Sequence, residues 1–223
     1  MPALALTNVN KKFGHATNEV TVLHDISFEA NAGEVSLVLG PSGSGKSTFL
    51  TIAGGIQTPT SGSVIVEDQT LHDLSGKARD ALRLNQIGFI LQAYNLVPYL
   101  TVKDQFKLVD RVKPQGNLGA AELDDLLAQL GIGQLVDQFP AELSGGQTQR
   151  VAIARALYQN PDIILADEPT AALDSDRVKV VGQLLHDLAK QHNKAIVVVT
   201  HDLRLQEFAD KTYMIMDGKM TVA

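Results

Sequence analysis

Apolar residues fall along this chain in short bursts, and the spacing within the bursts predicts both strands and helices. Val20-Thr21-Val22-Leu23 and Ile26-Ser27-Phe28 alternate, and residues 3–9 and 19–29 are therefore read as extended segments. Val35-Ser36-Leu37-Val38-Leu39 is too short for a helix and runs directly into a glycine-rich stretch, residues 40–45. A helix is predicted to begin near Lys46 and continue through Leu50 to Ala53. Thr58-Pro59-Thr60-Ser61-Gly62 marks a turn, followed by a strand over 63–67; another strand over 87–91 ends at Gln92. Residues 93 to about 160 read as mostly helical, with breaks at Pro98, Pro114, Gly131 and Pro140. Two further runs, 163–166 and 195–199, have the pattern of buried strands. Between them a long helix follows Asp174, with Val178, Val181, Leu184, Leu185 and Leu188 on one face. Asp217-Gly218 reads as a late hairpin turn.

Strands alternating with helices imply an α/β fold around a mainly parallel sheet. The first, antiparallel-looking stretch and the helical middle read as additions to that core. No apolar run approaches the roughly 20 residues that cross a bilayer. The first eight residues lack the positive start and apolar stretch of a signal peptide. No direct membrane insertion is expected, so any membrane role must come through a partner.

Composition narrows this only a little. With 223 residues the chain is long enough for one large domain or a domain with an inserted lobe, and it can bury a core without disulfides. It contains no cysteine. A net charge of −6 and an isoelectric point near 5.4 argue against a nucleic-acid partner, which usually calls for a basic surplus.

The candidate chemistry lies where strands end. Gly40-Pro41-Ser42-Gly43-Ser44-Gly45-Lys46-Ser47-Thr48 satisfies every fixed position of G-x-x-x-x-G-K-[ST]. Glycines let backbone N–H groups converge on phosphate oxygens, and the helix that follows presents its positive end. Lys46 would reach the β- and γ-phosphates and the Ser47 hydroxyl would ligate Mg²⁺. A chance match in a chain of this length is on the order of one in a hundred, and this one also lies between a predicted strand and a predicted helix. A metal also needs a carboxylate. Ile163-Ile164-Leu165-Ala166-Asp167-Glu168 supplies Asp167 at a strand end, with Glu168 next to it to polarise an attacking water.

Those two motifs fit many P-loop NTPases. Leu143-Ser144-Gly145-Gly146-Gln147 resembles, letter for letter, the signature of ABC ATPases, and the continuation from Gln149 through Leu157 is similar to the family's signature helix. Physically it is a second glycine-rich turn at a helix start, hence a second phosphate site. Thr148 departs from the Gln or Lys more common there. An alternative guanine-reading element, Asn193-Lys194, fails because Ile196 occupies its Asp position.

The resemblance covers almost the whole chain. It implies a P-loop NTPase core with a mainly parallel sheet, an antiparallel β subdomain and an inserted helical subdomain. It also implies a single domain over 1–223, with the core at about 1–92 and 161–223 and the helical part at about 93–160. ATP and Mg²⁺ are the implied cofactors. In site terms it implies Gln92 as a Mg²⁺-sensing residue, Ala172-Leu173-Asp174 as the D-loop, His201 as the switch histidine holding the γ-phosphate and water, and Phe13 stacking on adenine. The remaining histidines, including His15, have no comparable placement. The resemblance further implies a second copy of the chain, with Ser144, Gly145, Gly146 and Gln147 of one copy covering the nucleotide held by residues 40–48 of the other.

The apolar stretch from Gln92 to Val102 is expected at the surface, where the family receives a transmembrane permease subunit on a separate chain. Leu96-Val97-Pro98-Tyr99-Leu100, the run 164–177 and Thr200-His201-Asp202-Leu203-Arg204-Leu205 are similar to bacterial ATPases of the macrolide, lipoprotein and haem efflux group. The likeness is greatest to the haem-efflux members, which implies a peripheral location on the cytoplasmic face of the membrane. A division-type ATPase that couples hydrolysis to a membrane partner without moving substrate, and an exporter of lipoprotein, peptide or macrolide, stay open as alternatives. No C-terminal regulation of the importer type is expected.

Overall fold

The computed structural model describes residues 1–14 and 18–223; His15 lies outside the described residues. Among them, ten strands and six α-helices build two sheets that share a core. β1 (Leu4–Phe13), β2 (Val20–Ala30), β4 (Ser61–Val66) and β5 (Gln69–Thr70) form an antiparallel sheet in the order β2-β1-β4-β5. The second sheet has the order β10-β9-β3-β8-β7-β6, from β3 (Val35–Leu39), β6 (Ile87–Ile90), β7 (Ile163–Asp167), β8 (Ala195–Thr200), β9 (Lys211–Met216) and β10 (Lys219–Val222). All its pairings are parallel except β9 with β10. That hairpin turns at Asp217 and Gly218, both in the left-handed region at φ 47° and 73°, as a tight hairpin requires.

The central strands are apolar throughout because both their faces are covered. Ile164 and Ala166 of β7, with Ile196 and Val198 of β8, pack into one core. That core also holds α3 (Val102–Val112), α4 (Ala120–Gln129), α5 (Gly145–Tyr158) and α6 (Ser175–His192). Their alternate neighbours, Ile163, Leu165, Val197 and Val199, face α1 (Lys46–Ala53) and the antiparallel sheet instead. There Phe28 meets Phe49 edge-on at 5.1 Å. Asp174 caps α6 by accepting the Arg177 N–H, and the predicted apolar face of that helix is buried at Val178, Val181, Leu184 and Leu185.

Two regions depart from the sequence reading. The segment after β5 contains α2 (Gly76–Gln86), whose only buried residue is Leu82, so it carried too weak an apolar stripe to be read as a helix. The stretch 92–102 is only partly at the surface. Pro98 and Tyr99 stand exposed, whereas Leu96, Val97 and Leu100 are half-buried and Val102 is fully buried. The cause is Gln105, which has no exposed surface: its amide donates to the Val97 and Leu100 carbonyls and accepts the Val97 N–H. Arg155 of α5 adds bonds to the Tyr94 and Asn95 carbonyls.

Candidate functional site

β3, β7 and β8 are adjacent parallel strands, so their carboxyl ends open on one edge of the sheet, where α/β folds usually place ligands. β3 leads into the glycine-rich loop. A Cβ on Gly40 would lie 2.2 Å from the Ile215 carbonyl oxygen, so only glycine lets the chain turn against β9 at that point. Gly45 starts α1 at φ 105°, and a Cβ there would stand 2.8 Å from Leu23 Cδ2 and 3.1 Å from the Val22 oxygen. No side chain caps α1 and its first turn has no acid. The helix start is thus an uncompensated positive end, suited to an anion. Lys46 is buried there, and its Nζ donates to the carbonyls of Gly40 at 2.7 Å and Pro41 at 3.0 Å.

Asp167 ends β7, and its Oδ1 is buried without a hydrogen-bond partner. Burial pushes this carboxyl above its ordinary range, against the Ser47 hydroxyl and with the neighbouring Glu168 charge, while Lys46 pulls it down. An orphaned, buried carboxylate oxygen beside a serine hydroxyl is the donor set of a hard cation. Mg²⁺ in particular binds through one or two protein oxygens and completes its shell with water and phosphate.

Glu168 follows in the left-handed region at φ 50°. Its carboxylate is held at both oxygens. Oε2 accepts the Thr200 hydroxyl at 2.7 Å, and Oε1 lies 2.9 Å from His201 Nδ1. The His201 side chain is 72% exposed, so one face of this pair is open to a ligand. The loop behind it is fixed by Asp202, which accepts the Thr170 hydroxyl at 3.0 Å and two donors of Arg204. The Arg204 guanidinium holds the Asp202 carboxyl below its ordinary range despite partial burial.

These parts enclose a cavity of about 560 Å³. Its wall contains Pro41, Ser42, Gly43, Gly45, Lys46, Ser47, Thr48, Gln92, Asp167, Glu168 and His201, all singled out in the sequence, with Val22 and Ala171 added. Gly40 and Ser44 are buried in the base of the loop and are not on the wall. Phe13, at the end of β1, is outside the wall too; it is 42% exposed, with Lys11 Nζ 4.9 Å from its ring centre. Val22 stands on the wall instead.

Ser144 to Gln147 are likewise outside the cavity. Ser144 caps α5: its Oγ accepts the Gln147 N–H at 3.3 Å, and Gln147 Oε1 accepts the Ser144 N–H at 2.8 Å. Sequence reasoning overlooked two residues, Thr200 and Gln149. Gln149 is 2% exposed, its amide bonded to the Glu168 carbonyl and the Ala172 N–H. A hydroxyl closing an apolar strand just before a histidine, and a glutamine on the buried side of a helix, were the available signals, since buried polar groups demand partners.

Comparison with known proteins agrees with this geometry. A family model described as "ABC transporter" matches residues 23–171. Proteins of Staphylococcus aureus strains MRSA252 and Newman, carrying the provisional name hemin import ATP-binding protein HrtA, are 44% identical over 223 residues, covering 98% of this chain and 99% of theirs. Among solved structures, a dimeric MJ0796, described as a bacterial ABC transporter cassette, is 37% identical with a TM-score of 0.90 over 97% of this chain and 95% of its own. A post-hydrolysis dimer of MJ0796 bound to ADP and phosphate is 36% identical with a TM-score of 0.88, covering 98% of each chain.

Proposed function

The chain belongs to the ABC transporter family as an ATP-binding subunit and ATP hydrolase, and from that premise we propose that it powers a haem exporter whose permease is a separate chain. The observation that carries the ATPase part of the reading is the split between two anion-binding helix starts, and the haem part rests on the 44% likeness to proteins named for hemin. One stands over the orphaned Asp167 oxygen, while Ser144 lies outside that cavity.

In this reading, backbone amides of residues 40–48 bind the phosphates and Lys46 leaves the Gly40 and Pro41 carbonyls to reach the β- and γ-oxygens. Ser47 and Asp167, with Gln92 at the rim, hold Mg²⁺, which neutralises phosphate charge when bound. Glu168 takes the proton of the attacking water as its oxygen bonds to the γ-phosphorus and the bond to the bridging oxygen breaks. Thr200 and His201 keep that carboxylate aimed, and His201 offers its open face to the γ-phosphate. Phe13, exposed at the end of β1, stays the candidate for stacking on adenine, with Val22 on the wall beside the loop. Residues 1–92 and 161–223 act as the core and 93–160 as a helical lobe.

The incomplete site calls for a second copy, whose Ser144, Gly145, Gly146 and Gln147 close over the γ-phosphate; the dimeric state of MJ0796 supports this. Among the described residues no helix is long and apolar enough to cross a membrane, and relatives of the same length are named as ATP-binding proteins. A partner surface is available. Tyr99 is 78% exposed, and a groove of about 540 Å³ presents Leu84, Leu108 and Val112. The subunit would then sit at the cytoplasmic membrane face through that contact.

Glu168→Gln is expected to retain ATP binding, accumulate a nucleotide-bridged dimer and lose about a hundredfold or more in turnover. Turnover at the wild-type rate would remove Glu168 from its role. For cargo, the co-purified membrane partner is reconstituted in inverted vesicles, where ATP should drive haem inward. Movement the other way would favour the import direction in the relatives' name, and ATPase activity without haem movement would favour a division-type coupler or another cargo.

A further inference from the structure

The helix that presents Ser144 also grips the loop that carries Glu168. Gln149, five residues beyond the cap, donates from Nε2 to the Glu168 carbonyl at 3.1 Å and accepts the Ala172 N–H at Oε1 at 3.0 Å. It is 2% exposed, and its bond to the Glu168 carbonyl is buried away from water. The clamped loop has reason to be held. A glutamate at φ 50° sits in a region that costs about 1 kcal/mol or more, and persists only where its surroundings fix it. The Glu168 N–H is tied to the Val199 carbonyl at 2.9 Å, and among the described residues its own carbonyl otherwise accepts only the longer turn bond from Ala171 at 3.3 Å. Backbone orientation at a residue sets where its side chain points. Thr200 and His201 hold the Glu168 carboxylate at its tip, and Gln149 holds it at its base.

We propose that Gln149 is a positioning residue for hydrolysis: by locking residues 168–172 to α5, it aims the Glu168 carboxylate and ties that aim to the helix whose start meets the second copy's nucleotide. This rests on Glu168 serving as the base. It also gives α5 a reason to carry a buried glutamine, because an apolar residue there would take away the side-chain acceptor of the Ala172 N–H.

Gln149→Met keeps length and packing while removing both bonds. In the full-length chain, kcat should fall about tenfold with the KM for ATP within about twofold. A kcat unchanged from wild type, or kcat and KM moving together with a loss of thermal stability, overturns the inference in favour of a purely structural glutamine. Should the methionine variant fail to fold, Gln149→Glu retains the acceptor toward Ala172, loses the donor toward Glu168 at neutral pH, and is expected to show the same split. A double-mutant cycle then separates this idea from the reading beneath it. In the Glu168→Gln background, Gln149→Met should add no further loss to the residual single-turnover rate. A further tenfold loss there means that Gln149 acts elsewhere, and overturns the inference while leaving Glu168 as the base. Wild-type turnover by Glu168→Gln alone is the distinct outcome that removes the base assignment itself.

Discussion

Residues 40–48 and 143–148 are both glycine-rich turns that open a helix, yet their local chemistry is opposite. The first ends in a left-handed glycine, has no side-chain cap, and turns its lysine back onto the loop's own carbonyls. The second closes on itself: Ser144 and Gln147 satisfy each other's N–H groups, and the Thr148 hydroxyl takes the Ser144 carbonyl at 2.9 Å. One loop is unsatisfied until an anion arrives, within a cavity that already holds a buried carboxylate. The other needs nothing to fold, stands at the surface, and so can serve a ligand brought by another molecule. A shared sequence pattern therefore yields an open helix start in one place and a self-capped one in the other, the difference that the proposed receptor and lid roles require.

The largest effect should come from Lys46→Ala. Two charge-assisted bonds to phosphate are lost, and ATP affinity should drop about a hundredfold or more, read by titration of a fluorescent ATP analogue. Loss of the same size from a change in the second loop, in the isolated chain, would erase the distinction.

The glycines give a second contrast. Gly45→Ala must force an L side chain to φ 105° against Leu23 and Val22, and should cost about 2 kcal/mol of folding stability. At Gly145 the nearest atom to a new Cβ is the Ala172 Cβ, at 4.0 Å. Gly145→Ala should therefore leave stability unchanged or raise it by about 0.5 kcal/mol, while turnover falls because the methyl obstructs the other copy's phosphate. Urea unfolding of both variants decides this. The glycine of the first loop is required by its own fold, whereas the fold leaves room for a side chain at the second.

How much of this was visible beforehand follows the same division. β3, the loop and α1 were legible because a buried strand, fixed glycines and a helix start each leave a strong local mark, and β7 with Asp167 and Glu168 was legible for the same reason. The alternation of core faces along β7 and β8 was hidden, because strands buried on both sides show no polar period. Gln149 and Thr200 were missed because their roles depend on partners 19 and 32 residues away, which no local pattern reports. Phe13 was marked for the opposite reason, as an aromatic side chain near the chain start, and its exposed ring at the end of β1 stands beside Lys11, off the wall of the phosphate cavity.

The smallest expected effect is the most pointed. Ser144→Ala removes one hydrogen bond, at 3.3 Å, and spares the bonds of the turn that use the Ser144 backbone N–H and carbonyl. Its cost in stability should stay near the low end for a lost helix cap, about 0.5–1 kcal/mol, or about 1–4 °C in Tm. ATP affinity of the dilute, single chain should not change, since Ser144 is not on the wall of that chain's cavity. Turnover at high protein concentration should nevertheless fall, because the hydroxyl is lost where the second copy's γ-phosphate would sit. A weakened affinity in the dilute chain would mean that Ser144 reaches its own nucleotide, and the contrast between a receptor loop and a lid loop would fail at its most exposed point.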